Sequence, residues 1–176
     1  ELNFGGRDIT RVLEVLLNQN SEQIIKEPLV RSIKHQYASV REIDEQEIIY
    51  ELRDGTSITL GKELWSCTDM IFSRHYLHEE IISVIKSCPE YMRKALAQNI
   101  IPIGGNSALP GFSEKLQSEI RKTLPKAIVR DYDDSEFLSW KGASIASSIS
   151  AVRNTWVSRE EFEEVGPITL IRKSIF

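Results

Sequence analysis

Residues 100–111, IIPIGGNSALPG, combine the residue types and spacing best suited to chemistry in this chain. An apolar run leads into Gly104 and Gly105, then into a small polar pair, and finally into a Pro-Gly that precedes a predicted helix. Glycine lets a ligand approach bare backbone closely, and amides near a helix start attract negative or polar groups. The stretch indicates the edge of a nucleotide-binding site, although the same pattern also fits a plain strand-to-helix connection.

Arg31 and Lys34 stand three residues apart in a predicted helix at residues 28–37. Residues at this spacing lie on one face of the helix. Taken alone, the spacing favours a solvated helix surface over a binding site.

The composition excludes several other classes of function. With 22 basic and 26 acidic residues, the net charge is -4, and no basic stripe is present that would neutralise a phosphate backbone, so direct binding of nucleic acid is not expected. No apolar run approaches the roughly 18–20 residues of a membrane-spanning helix, so no membrane association is expected. Cys67, Cys88 and the three histidines lack zinc-site spacing, which predicts no metal site and cysteines that are reduced and structural.

Elements of the first hundred residues must position these groups. The apolar positions from Ile9 to Leu17 recur at helical spacing, with Asp8 as a candidate cap, and a strand is expected at residues 2–4 before the Gly-Gly break. Alternating apolar residues on both sides of Asp54-Gly55 predict a β-hairpin over residues 46–60. Two helical pieces joined near Pro89 are expected over residues 78–98.

The remaining residues predict further alternation of strands and helices. Strands are expected at 99–103 and 127–130, a helix over 112–124, and an acidic loop at 131–136. One more helix should carry Ile145, Ile149 and Val152, and a final helix should run from a Ser158 capping box to Gly166-Pro167. The pattern is that of a compact α/β or α+β chain without repeats or linkers.

Taken in order, several segments resemble actin and actin-related proteins. These are FGGRDIT at 4–10, VRSIKHQYASV at 30–40, YELRDGTSITLGKELWSCTDMIF at 50–72, LSWKGASIASSISA at 138–151, WVSREEFEEVGP at 156–167 and RKSIF at 172–176, together with the strand-Gly-Gly-helix turn. The resemblance implies an α/β fold, the C-terminal half of the actin-like (ribonuclease-H-like) ATPase fold. It implies that residues 1–98 form outer and lower lobe parts, and that 99–176 form the nucleotide-cleft turn and C-terminal helices.

The resemblance also implies a set of nucleotide contacts. They are Gly6, Arg31, Lys34, Gly105, Asn106 and Ala108, with the two cations beside adenine and ribose and the glycine loop supplying close backbone contact. Three positions depart from the family pattern: His35 replaces a glutamate, Leu109 an aromatic residue, and Glu136 a lysine. These departures weaken the implied pocket, so ATP is expected as a bound ligand rather than as a substrate.

Turnover is not expected from these residues. The family's phosphate-gripping hairpins and its metal-organising and water-organising residues belong to the first half of the pattern, and none of them is recognisable here. The chain therefore reads as a fragment, a gapped chain or a truncation of that fold, with no catalytic residue. Phosphoryl transfer depends on such positioning groups, so the expectation is a protein that is not an enzyme.

Partner contacts are implied for the helix that contains Trp140. In the family this helix lines a hydrophobic cleft where partner helices dock, and the matching positions here are Lys141, Ile145 and Ile149. Lys141 introduces a charge where an aliphatic residue is usual, which argues against filament formation, unless its side chain simply extends to solvent. The implied partners are other actin-fold subunits and a helical segment of a larger subunit.

The resemblance is compatible with three functions. The favoured one is a non-catalytic structural subunit of a nuclear chromatin-remodelling complex, because WKGAS at 140–144 is similar to nuclear actin-related proteins. The alternative is the pointed-end actin-related subunit of dynactin, in the cytoplasm and cytoskeleton, which resembles the chain around SCPEYMRKALAQNIIPIGG at 87–105. A third is an ATP-binding, filament-forming actin-like protein whose first half is missing.

Overall fold

The computed structural model of this protein describes residues 3–19, 24–41, 47–52 and 55–173. The regular elements follow in the order α1 (Gly6–Gln19), α2 (Glu27–Tyr37), β1 (Ile48–Glu51), β2 (Ser57–Leu60), α3 (Glu63–Ser73), α4 (Leu77–Ser87), α5 (Glu90–Ala97), α6 (Phe112–Arg121), α7 (Leu138–Ser148), α8 (Arg159–Val165) and α9 (Ile168–Lys173). Short 3-10 helices lie at Ser135–Phe137 and Ser150–Thr155. Within the described ranges, no helix is both long and apolar enough to cross a membrane.

The chain divides into two compact units, residues 1–136 and residues 137–176. The first unit contains α1 to α6 and the β-hairpin, and the second contains α7, α8 and α9. The division at residues 98 and 99, which was expected from the family resemblance, remains a prediction about lobes of a larger fold.

The core of the first unit is built on α1. Ile9, Leu13 and Leu17 are buried on one face of this helix, which confirms the helix expected from their spacing. This face packs against α2 and α3, and α2 adds the buried Val30 and Ile33. Each fully buried aliphatic side chain contributes about 1.5–3 kcal/mol to stability, so the α1 face is a principal source of the unit's stability.

Helix α3 was not recognised in the sequence. Its apolar residues nevertheless follow a helical period, because Leu64, Cys67, Ile71 and Phe72 are all buried on one side. Thr68 is buried with them and donates a hydrogen bond of 2.8 Å to the carbonyl oxygen of Ser39.

The β-hairpin is confirmed over the residues that the structure describes. β1 and β2 pair antiparallel, from Ile48 opposite Leu60 to Glu51 opposite Ser57. Gly55 has a φ of 85°, the left-handed conformation for which glycine is suited, while Asp54 and residue 46 lie outside the described residues. β2 turns Ile58 and Leu60 into the core.

The two strands expected at 99–103 and 127–130 are wrong as regular strands. The segments meet only in a parallel bridge between Ile100 and Val129, with backbone hydrogen bonds on either side of it. Pro102 has no N–H to continue a ladder, and Gly104 turns the chain with a φ of 104°. An isolated pair of short parallel segments cannot propagate without further neighbours.

The strand expected at residues 2–4 is not formed at Phe4, and Leu2 lies outside the described residues. The ring of Phe4 instead stacks on His75, with the ring centroids 4.2 Å apart. Packing of this aromatic side chain therefore takes the place of strand pairing.

Three expected helices in the first unit are confirmed with small shifts in their ends. α4 and α5 are separated by Pro89, as the sequence predicted. α6 begins at Phe112 but ends at Arg121, short of the predicted 124, and Leu124 still donates a 2.8 Å hydrogen bond to Ile120. The chain thus makes one further, less regular turn between the end of α6 and Pro125.

The second unit corrects the prediction for Ile149. α7 ends at Ser148, and Ile149 has extended backbone angles, so it does not share the helix with Ile145 and Val152. The hydroxyls of Ser147 and Ser148 bond back to carbonyls three residues earlier, which competes with continuation of the helix. α8 is capped by Ser158 and ends at Gly166, both as predicted, whereas α9 was not foreseen.

Candidate functional site

A cavity of about 700 Å³ lies in the first unit between the start of α1, the second half of α2 and the loop at residues 103–110. Its volume falls within the roughly 300–1,000 Å³ of pockets that bind small molecules and cofactors. The cavity is lined by all of the predicted nucleotide contacts: Gly6, Arg31, Lys34, Gly105, Asn106 and Ala108. The fold thus brings together residues that are up to 102 positions apart in the printed sequence.

The first turn of α1 supplies one wall. The backbone N–H of Gly5 donates to the Asp8 carboxylate at 2.9 Å, and the Thr10 hydroxyl donates to the Gly6 carbonyl at 3.0 Å. These contacts fix the start of the helix, as its sequence predicted for Asp8. A Cβ atom at Gly6 would lie 3.1 Å from the Asn106 side-chain oxygen and 3.3 Å from Lys34 Nζ. A side chain at Gly6 would therefore require the Asn106 amide and the Lys34 ammonium group to shift by a few tenths of an ångström.

Lys34 connects α2 to this turn. Its side chain is only 8 % exposed, and Nζ donates a 2.9 Å hydrogen bond to the Gly6 carbonyl oxygen. Burial, and to a lesser extent the charge of Arg31, lowers the pKa of Lys34 from its ordinary value. A solvated helix surface is thus ruled out for Lys34, while Arg31 is exposed at the cavity wall.

The glycine-containing loop is held by serines that sequence reasoning did not select. Ser107 donates to the Gly104 carbonyl at 2.7 Å and bonds to the hydroxyl of Ser135 at 3.0 Å. The N–H of Gly104 in turn donates to the Ser135 carbonyl oxygen at 3.0 Å. Both serines are buried, so they brace the loop rather than line open solvent. The sequence signal was the small polar residue that follows Gly-Gly-Asn.

The other end of the loop is anchored to the segment after α2. The Pro110 carbonyl oxygen accepts hydrogen bonds from the Val40 N–H at 2.9 Å and from the Ser39 hydroxyl at 3.2 Å. Gly111 has a φ of 81°, and a Cβ atom there would lie 3.2 Å from the Arg41 side chain. The loop is therefore fixed at both ends, with its Gly105 backbone facing open space.

His35 and Glu136 give the cavity a titratable edge. Both residues are exposed and line the cavity. Partial burial lowers the pKa of His35 from its usual 6.5, as do the charges of Lys34 and Arg31, while Glu136 acts in the opposite direction. His35 is therefore mainly neutral at pH 7, and the positive charge near it comes from Arg31 and Lys34.

The predicted partner-binding residues lie in the second unit. Trp140 and Ile145 on α7 are 70 % and 65 % exposed, and Ile149, which directly follows the helix, is 49 % exposed. Lys141 is half-buried on the same helix, and α7 contributes no buried residue. These exposed side chains give the second unit an apolar surface.

No group of three or more histidine, cysteine, aspartate or glutamate side chains in the described ranges is arranged to hold a metal ion. Cys67 is buried, and burial raises the pKa of its thiol to about 12, so this residue behaves as an apolar core side chain.

Comparisons with known proteins cover nearly the whole chain. A family model described as Actin matches residues 6–175. Actin-like protein 9 of Homo sapiens is 31 % identical over 194 aligned positions, which cover 98 % of this chain and 47 % of that protein. Actin-like protein 7A of Mus musculus is 30 % identical, with 98 % of this chain and 44 % of that protein covered. The chain thus spans less than half the length of these relatives.

Substitution of Gly105 separates ligand binding from folding. A Cβ atom at this position meets nothing within 4 Å, so Gly105→Val in the full-length protein should leave the melting temperature unchanged. The side chain would nevertheless occupy cavity space, and we expect the amount of co-purified adenine nucleotide to fall at least about tenfold. The amount of bound nucleotide is measured by extraction followed by chromatography. Gly61→Val is the matched control, because Gly61 lies outside the cavity. Unchanged nucleotide retention in Gly105→Val would remove this residue from the site.

Protonation of His35 should strengthen the binding of an anionic ligand. Its pKa lies below 6.5, so lowering the pH from 7 through that value adds a positive charge beside Arg31 and Lys34. Because an exposed charge pair contributes only about 0.2–1 kcal/mol, we expect nucleotide affinity to rise by a factor of about 1.4 to 5. Titration calorimetry at several pH values measures the nucleotide affinity of the wild type and of His35→Gln. Because the variant lacks the imidazole, its pH dependence gives the contribution from titration of the nucleotide itself. An identical pH dependence in the two proteins would contradict the assignment.

Proposed function

The chain belongs to the actin family, and on that premise we propose that it is a non-catalytic structural subunit of a large multiprotein complex that binds ATP without turnover. We further propose that it represents the C-terminal half of the family's fold, since its motifs follow the order of that half. The curated relatives are more than twice as long as the aligned region, so the activity of the whole protein is part of the proposal.

Nucleotide binding is supported by the fit of the cavity. The Gly105 backbone faces open space, Arg31 offers an exposed cation, and residues at the start of α1 line the same volume. When bound, ATP would supply an adenine ring, a ribose and a negatively charged phosphate chain to these groups. The residues themselves bind and orient such a ligand, and Lys34 maintains the position of Gly6.

Binding without turnover is proposed from the type of groups that line this part of the site. Arg31, Lys34 and the loop amides suit a bound anion, and the Lys34 ammonium is already bonded to backbone. Phosphoryl transfer needs groups that orient an attacking water and hold metal-bound phosphates. The described residues are suited to retention of the nucleotide, which would then contribute to stability by mass action.

The observation that carries the structural role is the exposed apolar surface on α7. Trp140 and Ile145 project from a helix that buries none of its own residues. Large exposed aromatic and aliphatic side chains on one element mark protein-interaction surfaces, and tryptophan is frequent among residues that dominate binding energy. We propose that a helical segment of a larger subunit binds here, with other actin-fold subunits in the same assembly.

For the host assembly, we propose a nuclear chromatin-remodelling complex. The support is the WKGAS sequence at 140–144, which is similar to that of nuclear actin-related proteins. A second candidate, the pointed-end actin-related subunit of dynactin, is favoured by the sequence around residues 87–105. That segment forms the end of α4, α5 and the start of the cavity loop.

Purification from native cell extract distinguishes these assemblies. We expect the tagged full-length protein to be recovered with a remodeller ATPase and other actin-fold subunits, as identified by mass spectrometry. Ile145→Asp should reduce this recovery at least about tenfold, because a charge at a central apolar contact costs 2 kcal/mol or more. Val84→Asp, an equally exposed position on α4, is the matched control and should leave recovery unchanged. Recovery with dynactin subunits would replace the nuclear assignment, and equal recovery of both variants would remove α7 from the interface.

A further inference from the structure

Tyr37, the last residue of α2, forms part of the wall of the proposed nucleotide cavity, and neither the sequence motifs nor the comparisons assign it a role. Of the described residues that line this cavity, it is the one phenylalanine, tyrosine or tryptophan. The residue is half-buried and packs against the core of the first unit. An aromatic ring presents a flat face, on which a planar part of a ligand can stack.

The Tyr37 ring is supported from the side of the β-hairpin. Tyr50 of β1 meets it edge to face, with the ring centroids 6.0 Å apart and an interplanar angle of 89°. Aromatic pairs in this arrangement stabilise each other beyond the effect of burial alone. Tyr50 lies outside the cavity, so it can hold the ring without occupying ligand space. A ring that is already ordered loses little conformational entropy when a ligand binds to it.

One side of α2 runs along the cavity and changes from cationic to aromatic. Arg31, Lys34 and Tyr37 follow one another at intervals of three residues, and all three line the cavity. At a rise of about 1.5 Å per residue, Arg31 and Tyr37 are about 9 Å apart along the helix axis. The hydrogen bond from Lys34 to Gly6 places the start of α1 beside the middle of this helix. A ligand that spans this distance meets positive charge at one end and an aromatic ring at the other.

The loop at residues 108–110 lies beside the aromatic end of the cavity. The Pro110 carbonyl oxygen accepts hydrogen bonds from Ser39 and Val40, which are two and three residues beyond Tyr37. The three loop residues, alanine, leucine and proline, all line the cavity. The space near Tyr37 is therefore bounded in part by aliphatic side chains, which suit an uncharged planar ring better than a phosphate chain.

The distribution of charge favours the same orientation of a ligand. Three cations and one carboxylate line the cavity along the first turn of α1 and the first two turns of α2: Arg7, Arg31, Lys34 and Glu27. Glu136 lies next to the loop instead, because it also lines a smaller cavity together with residues 107–111. A phosphate chain is attracted by the cations and repelled by Glu136, so the uncharged base is left with the end beside Tyr37.

We propose that Tyr37 binds the base of the nucleotide by stacking, and that the phosphate chain extends from there toward Arg7 and Arg31. Stacking of a base on an aromatic side chain is a substantial contribution to affinity, so the site favours a ligand with a base over one that has only sugar and phosphate. The inference rests on the proposed nucleotide binding and adds the contact that orients the ligand. Tyr50 is a positioning residue that acts through Tyr37.

The first test compares ATP with ribose triphosphate, which has the same sugar and phosphates but no base. Titration calorimetry of the full-length wild type, freed of bound nucleotide, should show that ATP binds at least about tenfold more tightly. Equal affinities would mean that the base makes no favourable contact, which would overturn this inference and leave nucleotide binding in place. Binding of neither ligand would contradict the proposed nucleotide binding itself, and this inference with it.

Variants of Tyr37 separate the ring from its bulk and its hydroxyl. Tyr37→Leu keeps an apolar side chain but removes the ring, so ATP affinity should fall at least about fivefold while the affinity for ribose triphosphate stays unchanged. Tyr37→Phe keeps the ring and should bind ATP within about twofold of the wild type. Tyr91→Leu, at an exposed tyrosine of α5 outside the cavity, is the matched control and should change neither affinity. An equal loss for the two ligands in Tyr37→Leu, or no loss for either, would refute the stacking contact.

NMR of isotope-labelled ATP tests the stack in the wild type and does not depend on the folding of any variant. The ring current of an aromatic side chain shields protons that lie over its face. We therefore expect the adenine protons to shift upfield on binding to the wild type and to Tyr37→Phe, but not on binding to Tyr37→Leu. Unshifted adenine protons in the wild type would overturn the inference. An upfield shift that persists in Tyr37→Leu would assign the base to another ring, such as that of His35, and would overturn it as well.

Discussion

The ammonium group of Lys34 donates a 2.9 Å hydrogen bond to the Gly6 carbonyl oxygen, and this contact joins α2 to the first turn of α1. Burial disfavours the charged form of Lys34, so a charged amine is retained at this place only with a hydrogen-bond acceptor of this kind. The bare Cα of Gly6 permits the approach, since a Cβ would crowd both Lys34 and Asn106. The geometry of the proposed nucleotide cavity follows from this junction.

The loop at residues 103–111 is also held in place by hydrogen bonds. Ser107 and Ser135 hold its beginning, and the bonds from Ser39 and Val40 to Pro110 hold its end. A loop fixed at both ends presents its backbone to a ligand with little loss of conformational entropy on binding.

Local patterns in the sequence were sufficient for much of the fold. The α1 face, the break at Pro89 and the Ser158 cap all follow from spacing and from residue type. Features that depend on contacts between distant residues could not be predicted from local patterns. The strands near Pro102 lack neighbours that would extend them, and α7 ends before Ile149 because serine hydroxyls bond back to its last turns.

The candidate site, too, could be predicted only in part from the sequence. The resemblance identified residues that the structure gathers in one cavity, but spacing alone misread Lys34 as a solvated side chain. Ser135 gave no signal because an isolated serine is usually a surface residue.

The most direct measurement is the fate of nucleotide in purified full-length protein incubated with magnesium. The account predicts about one adenine nucleotide per chain that remains ATP without release of phosphate above background. Stoichiometric phosphate release, or protein free of nucleotide, would contradict it.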